Sequence, residues 1–184
     1  MRSIDAARRL RAFYDRDGRY LYTRRDLAWA LFGASRDPEL PETLQRLLED
    51  DVLAECCAGV YEYRFRKLGE RSLVEDLAVF LRRGRVVYES FESAASRWSV
   101  ISQIPVGRIM CATTGEDGLV ELANGFDIEY VHVERGLAEI VRGTADREPH
   151  SALRLASKEL CVADLIAEER SVYLIDWEEV YSDD

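Results

Sequence analysis

The sequence has few of the residues from which catalytic and metal sites are usually built. Its 184 residues include two histidines and four cysteines, and no two cysteines have the C-x-x-C spacing typical of zinc ligands. The only lysines are Lys67 and Lys158. A nuclease site that pairs two acids with a lysine is therefore poorly supported. The sequence also has no P-loop, dinucleotide-binding or nucleophile-elbow motif. These absences predict a protein that is not an enzyme and has no metal or cofactor.

A long hydrophobic run is missing as well. No apolar stretch approaches the ~18–20 residues of a membrane-spanning helix, and the first segment, MRSIDAARRLRAFY, is charged where a signal peptide has an apolar core. We therefore expect no membrane partner and a cytoplasmic location. Hydrophobic residues still make up 47% of the chain, which is enough to build a core in one medium domain or two small ones.

The excess of acidic residues is confined to one part of the chain. The formal net charge is −10. Residues 1–71 contain 14 Arg/Lys and 13 Asp/Glu, a net of +1, whereas residues 72–184 contain 11 and 22, a net of −11. Because affinity for phosphate follows the local field, a nearly neutral segment rich in arginine can still present a basic face. The overall acidity therefore does not exclude DNA binding by the first part.

Hydrophobic periodicity predicts three helices and a hairpin in the first part. Apolar residues have helical spacing in 4–14, in 24–32 after Thr23 as N-cap, and in 40–48. The segment VLAECCAGVYEYRF predicts two short strands around Ala58-Gly59. This order is typical of a winged helix-turn-helix, so we predict a winged-helix DNA-binding domain at residues 1–70.

The second part, residues 71–184, is predicted to be a mixed α/β domain. Ser72 and Glu75 predict a capping box at the start of its first helix. Strands are predicted for RVVYES and RIMCATT, and helices for FESAASRW and for KELCVADLIAEE after Ser157. Asn124-Gly125 between two strand-like runs predicts a tight antiparallel hairpin. The predicted fold class is therefore α+β, a winged helix followed by a mixed domain with an antiparallel hairpin.

The second strand of this hairpin carries a group of residues that suggests a catalytic site. Strand alternation places Asp127 and Glu129 on one face and His132 and Glu134 on the other. A metal site that used all four would need a bulge. We interpret His132 as a half-buried strand histidine, and an enzyme built around this hairpin as the least favoured hypothesis.

A family resemblance rests on the stretch from Tyr88 to Gly115. A short helix and a Gln-Ile-Pro turn lead into a strand that ends in threonines; the matching residues are Ser90, Ser93, Ala94, Gln103, Ile104, Pro105, Thr113 and Thr114. With Leu44, Arg46, Leu47 and the segment 59–63, this pattern resembles the AbiEi family of antitoxin-type transcriptional regulators from bacterial type IV toxin–antitoxin systems. The resemblance implies an N-terminal domain that binds operator DNA and represses its own operon. It also implies a second domain that counteracts a nucleotidyltransferase-type toxin without a stable complex.

The residues expected to contact double-stranded DNA follow from the predicted helices. With the leucines of 40–48 facing inward, Thr43, Gln45 and Arg46 are expected to face outward, and glutamine and arginine can bond adenine and guanine edges in the major groove. Basic residues at the start of the second helix and after the hairpin are placed to contact phosphates. The predicted DNA-binding residues are Arg24, Arg25, Thr43, Gln45, Arg46, Arg64, Arg66 and Lys67.

Acidic residues in the turn and first strand of the predicted wing support an alternative. Glu49, Asp50, Asp51 and Glu55 stand where members of the family usually have basic residues. This departure favours a non-catalytic interaction module that has lost its DNA role and whose acidic C-terminal domain binds a basic partner. The sequence predicts no particular operator, toxin or oligomeric state.

Overall fold

The chain divides into two units, Met1–Gly69 and Glu70–Asp184. The computed structural model describes residues 1–66, 72–146 and 151–182. Both units combine helices with a β-sheet, so the protein belongs to the α+β class that the sequence predicts.

The first unit consists of three helices and a small antiparallel sheet. Its elements are α1 (Ser3–Asp17), β1 (Leu21–Thr23), α2 (Arg24–Phe32), α3 (Leu40–Glu49), β2 (Leu53–Cys57) and β3 (Val60–Tyr63). The strands are ordered β1-β3-β2. One fully buried leucine stripe joins the helices, with Leu10 from α1, Leu27 and Leu31 from α2, and Leu47 from α3.

The start of α2 is fixed by a capping box. The Thr23 hydroxyl accepts a hydrogen bond from the backbone N–H of Asp26, and the Asp26 carboxylate accepts one from the backbone N–H of Thr23. These two bonds satisfy donors that a helix N-terminus leaves unpaired. Gly33 ends the helix with a φ of 73°, a left-handed conformation that glycine adopts without strain. Arg24 and Arg25 are consequently the first two residues of α2.

In the residues that the structure describes, the second unit contains five helices and six strands. These are α4 (Leu73–Phe80), β4 (Val87–Glu89), α5 (Phe91–Arg97), β5 (Arg108–Thr113), β6 (Gly118–Glu121), β7 (Asp127–His132), α6 (Leu137–Gly143), β8 (Thr144–Ala145), β9 (Arg154–Ala156), α7 (Lys158–Ala167) and α8 (Trp177–Val180), with a 3₁₀ turn at Val172–Leu174. The sheet order is β6-β7-β5-β4-β9-β8. Two neighbouring pairs, β5–β7 and β4–β9, are parallel, and the others are antiparallel.

Helices cover both faces of this sheet. On one face, Phe91 of α5 and Leu165 of α7 belong to a buried cluster against which Val131 of β7 packs. The neighbouring Tyr130 points to the opposite face because side chains alternate along a strand. There its hydroxyl donates to the Ala78 carbonyl of α4 at 2.8 Å. The sheet is therefore the middle layer of the second unit.

The predicted hairpin is present, with a longer turn than predicted. β6 and β7 pair antiparallel from Gly118↔Tyr130 to Glu121↔Asp127. The backbone N–H of Leu122 then donates to the Phe126 carbonyl at 2.8 Å, which leaves three residues in the loop. Gly125 has a φ of 79°, as a three-residue hairpin loop with a left-handed residue requires. Asn124-Gly125 thus marks the turn correctly but not its length.

Candidate nucleic-acid interface

Helix α3 presents a narrow polar surface. Its buried residues are Leu40, Thr43, Leu44 and Leu47, which follow the i, i+3, i+4, i+7 spacing of a single helical stripe. The prediction that Thr43 faces outward is therefore wrong: only 1% of its surface is exposed. The prediction considered only the leucines as the buried stripe. Thr43 lies within that stripe, so it is buried with them.

The two side chains predicted to read bases lie on the outer surface of α3 and bond acids of the same helix. Gln45 is exposed and its Nε2 donates to Glu49 Oε1 at 2.9 Å. Arg46 is 40% exposed, with one terminal nitrogen 3.5 Å from Glu42 Oε1. Exposed i, i+4 pairs of this kind are worth about 0.3–0.5 kcal/mol. Replacing these intrahelical contacts by hydrogen bonds to base edges therefore costs little free energy.

Arg24 and Arg25 are both exposed at the first turn of α2. The capping box holds the backbone from which they project, so their separation is set by the helix. The same helix end carries the positive end of the helix dipole, which favours anions. This turn can bind phosphate groups.

The basic residues after β3 are less available. Arg64 is 48% exposed and lies 3.8 Å from Glu62 Oε1. Arg66 is only 12% exposed, with its Nε 3.5 Å from Glu62 Oε2 and its guanidinium 4.6 Å from the centroid of the Tyr20 ring. Arg66 is therefore less available to phosphates than Arg64, because Glu62 and Tyr20 already hold it, and its contact with DNA stays a prediction. Lys67 lies outside the described residues.

Two of the four acids in the predicted wing stabilise local structure. Glu49 bonds Gln45, and Glu55 Oε1 accepts a hydrogen bond from the backbone N–H of Gly59 at 2.9 Å. Gly59 has a φ of 76° in the turn between β2 and β3. Glu55 therefore closes this turn, and its charge has a role in the hairpin itself.

The serines and threonines of the family-like motif hold the second unit together. Ser90 Oγ donates to Asp164 Oδ2 at 2.6 Å, and Ser93 Oγ accepts from the backbone N–H of Met110 at 2.8 Å. Thr113 and Thr114 both bond the backbone of Val86, one as donor to its carbonyl and one as acceptor from its N–H. The motif therefore specifies how β4, α5 and β5 join.

Asp164 is a buried carboxylate that no sequence pattern singles out. It is 1% exposed and accepts hydrogen bonds from the Tyr88 hydroxyl at 3.0 Å, from Ser90 and from Arg135 Nε at 2.8 Å. Burial raises the pKa of Tyr88, and the adjacent Asp164 charge raises it further. The partners lie up to 76 residues away in sequence, so no local pattern could have revealed them.

The hairpin acids are neutralised by arginines. Arg108 lies 3.1 Å from both Asp127 and Glu129, and Arg170 NH1 lies 2.5 Å from Glu129. Burial acts to raise the pKa of Glu129, but hydrogen bonds and charge from Arg170 and Arg108 outweigh it, and the pKa is lowered. Carboxylates held in this way act as structural ion pairs.

His132 is not half-buried, as the sequence suggested, but exposed at the end of β7. Its Nδ1 lies 2.6 Å from the Gly115 carbonyl, on the side of the strand opposite Glu129. In the described parts of the chain, no three His, Cys, Asp or Glu side chains are grouped so that they could hold a metal ion. No helix there is long and apolar enough to cross a membrane.

Comparison with known proteins adds a likeness of fold. No protein-family model and no curated protein matches the sequence. Among solved structures, the chain is similar to the crystal structure of the RV2827C protein from Mycobacterium tuberculosis, with a TM-score of 0.54 and 17% sequence identity. The match covers 87% of this chain and 59% of that one. At this identity the similarity shows a shared fold alone.

Proposed function

We propose that this protein is a DNA-binding, antitoxin-type transcriptional regulator that represses its own operon and counteracts a nucleotidyltransferase-type toxin. The observation that carries the proposal is the first unit, in which α3 presents Gln45 and Arg46 outward. Its element order and its β1-β3-β2 sheet support the proposal that it is a winged helix-turn-helix. In that fold the helix equivalent to α3 enters the major groove.

The proposed contacts divide into two kinds. Arg24 and Arg25 bind backbone phosphates, which positions the protein without reading sequence. Gln45 and Arg46 leave their intrahelical partners and bond base edges, where an arginine on guanine contributes about 1–3 kcal/mol of discrimination. The acids Glu42 and Glu49 beside them repel phosphates, which lowers the affinity, and two phosphate contacts predict a slope of log K against log salt of about −2.

Binding of the full chain to DNA tests the first half of the proposal. Fluorescence anisotropy with a duplex from upstream of the gene should show binding that is tighter than to a shuffled duplex of equal length and composition. The affinity should fall as salt is raised, with a slope of log K against log salt of about −2. Equal affinity for the two duplexes, or none for either at low salt, would contradict it.

The antitoxin role rests on the family resemblance of 88–115 and on the second unit. A growth assay can test it, in which this chain is expressed together with a nucleotidyltransferase-like protein encoded next to it. We expect rescue by the wild-type chain and by an Arg24→Ala/Arg25→Ala double variant, since toxin neutralisation is assigned to the other unit. Failure of the wild-type chain to rescue at matched protein levels would remove the antitoxin role.

An alternative function is favoured by one specific observation. Tyr173, Trp177 and Tyr181 are exposed by 87%, 43% and 77%, and acids 176, 178 and 179 lie among them. Exposed aromatic residues flanked by acids suit a basic protein partner. If the chain is an interaction module, a Trp177→Ala/Tyr181→Ala variant should lose that partner, while a shuffled duplex should bind as well as the upstream one.

A further inference from the structure

The second unit contains a cleft of about 710 Å³ that is lined by arginines. One wall is the turn after α4, which carries Arg82, Arg83 and Arg85. The opposite wall is the loop from Thr114 to Asp117 between β5 and β6, and His132 stands at the end. This volume falls within the range of small-molecule sites.

Two arginines of the cleft, Arg82 and Arg85, differ from most cations in this acidic unit. Six other basic side chains form ion pairs with carboxylates: Arg97, Arg108, Arg135, Arg154, Lys158 and Arg170. Arg82 and Arg85 have no carboxylate partner in the described part of the chain. The cleft therefore has cationic groups that can receive an anion without first breaking an ion pair.

Arg82 is held in place by uncharged partners. Its guanidinium lies 3.9 Å from the centroid of the Tyr130 ring, and its Nε is 3.4 Å from the Glu116 carbonyl. The Tyr130 ring is itself fixed by the bond to Ala78. A guanidinium that is positioned this way loses little rotamer freedom when it binds a ligand.

The Arg85 side chain packs against Gly115, which has no side chain of its own. A Cβ on Gly115 would lie 3.1 Å from Arg85 Cγ, so a side chain at position 115 would require the arginine to shift by a few tenths of an ångström. The backbone N–H of Arg85 also donates to the Arg82 carbonyl at 2.9 Å. This turn brings Arg82 and Arg85 to the same wall of the cleft.

The remaining polar groups of the cleft are compatible with an anion. The Asp117 carboxylate accepts the backbone N–H of His132, so this acid closes the loop. Because His132 Nδ1 bonds a carbonyl, it carries a hydrogen; in the neutral ring the other nitrogen then accepts, and it can bond the P–OH of a singly protonated phosphate group. Glu116 and Asp117 place two negative charges in the lining beside its three arginines.

We propose that this cleft binds a phosphate group, with Arg82 and Arg85 as its main ligands and His132 as a further hydrogen-bond partner. The planar guanidinium matches the spacing of phosphate oxygens and forms bidentate, charge-assisted hydrogen bonds. The phosphate can belong to a small phosphorylated molecule or to a nucleic-acid backbone. This site is separate from the DNA contacts assigned to the first unit.

The test uses the full chain and three variants, Arg82→Ala, Arg85→Ala and the control Arg142→Ala, whose arginine is exposed on α6. Calorimetric titration with pyrophosphate at constant ionic strength should show binding that each cleft variant weakens about tenfold or more, since each loses a charge-assisted hydrogen bond. The control should bind like wild type. In the wild-type protein, pyrophosphate should shift the arginine Nε–Hε NMR signals that vanish in the two cleft variants, which tests the site even if a variant folds poorly.

A second titration with a short duplex of shuffled sequence distinguishes the two sources of phosphate. Pyrophosphate binding that depends on Arg82 and Arg85 assigns the site to a free phosphorylated molecule. Loss of duplex affinity in the cleft variants alone, with no pyrophosphate binding, assigns it to a nucleic-acid backbone. If neither ligand distinguishes the cleft variants from Arg142→Ala, the proposal is overturned. Arg24→Ala/Arg25→Ala should leave pyrophosphate binding unchanged, so failure here is separable from failure of the DNA proposal.

Discussion

At the scale of single residues, most side chains that suggested chemistry have structural partners. The acids of the hairpin bind Arg108 and Arg170, and the motif serines bind Asp164 and the backbone of β5. All four cysteines are free and buried, and burial raises the pKa of Cys56 and Cys161 to about 12. Thiols with such a pKa are protonated at neutral pH and are poor nucleophiles.

Thr43 provides a residue-scale prediction. Its hydroxyl is buried and has no hydrogen-bond partner in the described part of the chain, and a buried unsatisfied polar group costs about 1–3 kcal/mol. Thr43→Val keeps the shape and removes that group, so the melting temperature of the chain should rise while DNA affinity stays the same. The matched control is Thr23→Val, which removes an N-cap and should destabilise by about 0.5–2 kcal/mol. If Thr43→Val weakens DNA binding without changing the melting temperature, Thr43 contacts DNA after all.

Glu129 gives a prediction about pH. Its pKa is lowered from the ordinary value of 4.5, so the folded state holds the charged form more strongly than the unfolded state. The resulting stability is present above the unfolded pKa and is lost as the pH falls through the folded pKa. Urea unfolding of segment 70–184 at a series of pH values below about 5 should therefore show a smaller loss of stability on acidification for Glu129→Gln than for wild type. Glu121→Gln, at an exposed site on β6, should behave like wild type; identical pH profiles for all three proteins would show that the Glu129 ion pairs do not stabilise the fold.

At the scale of helices and strands, the sequence predicted features that depend on neighbouring residues, such as helix N-caps. Thr23 and Ser157 cap α2 and α7 as expected. The capping box predicted for Ser72 and Glu75 is wrong, because the Ser72 side chain makes no cap hydrogen bond and Glu75 is buried. Short strands were missed for a related reason. β1 and β9 have three residues each and exist through pairing with distant strands, which no short window contains.

In the candidate interface, too, the predictable features are local and the unpredicted ones depend on tertiary contacts. Exposure of Arg24, Arg25 and Gln45 follows from helix phase and was predicted, whereas burial of Arg66 depends on Glu62 and on Tyr20, which lies far away in sequence. The arginines of the cleft in the second unit were not singled out by the sequence, because the cleft joins segments near 82, 115 and 132. Contacts between distant segments produce no periodic pattern in the sequence.

The roles assigned to α2 and α3 make opposite predictions for DNA binding. Arg24→Ala/Arg25→Ala should weaken binding to all duplexes equally and reduce the slope of log K against log salt by about 2, because two phosphate contacts are lost. Arg46→Ala should instead reduce the preference for the upstream site by roughly 1–3 kcal/mol. Anisotropy titrations of specific and shuffled duplexes at several salt concentrations measure both effects. Equal losses on both duplexes for Arg46→Ala would show that α3 does not read bases.

At the scale of the whole molecule, charge and fold divide at the same place. The sequence changes from a net of +1 to a net of −11 near residue 71, and the fold divides between Gly69 and Glu70. Each unit has buried side chains of its own, such as Leu27 in the first and Phe91 in the second. This arrangement suits a protein in which one unit binds DNA and the other acts on a different partner.

Comparing the two halves of the chain tests this account most directly. Segments 1–69 and 70–184 are produced separately, shown to be folded by circular dichroism, and titrated with the upstream duplex in low salt. The account predicts that segment 1–69 retains the preference of the full chain for the upstream duplex over a shuffled one, and that segment 70–184 shows no such preference. Site-preferring binding by segment 70–184, with none by a folded segment 1–69, would contradict the central claim.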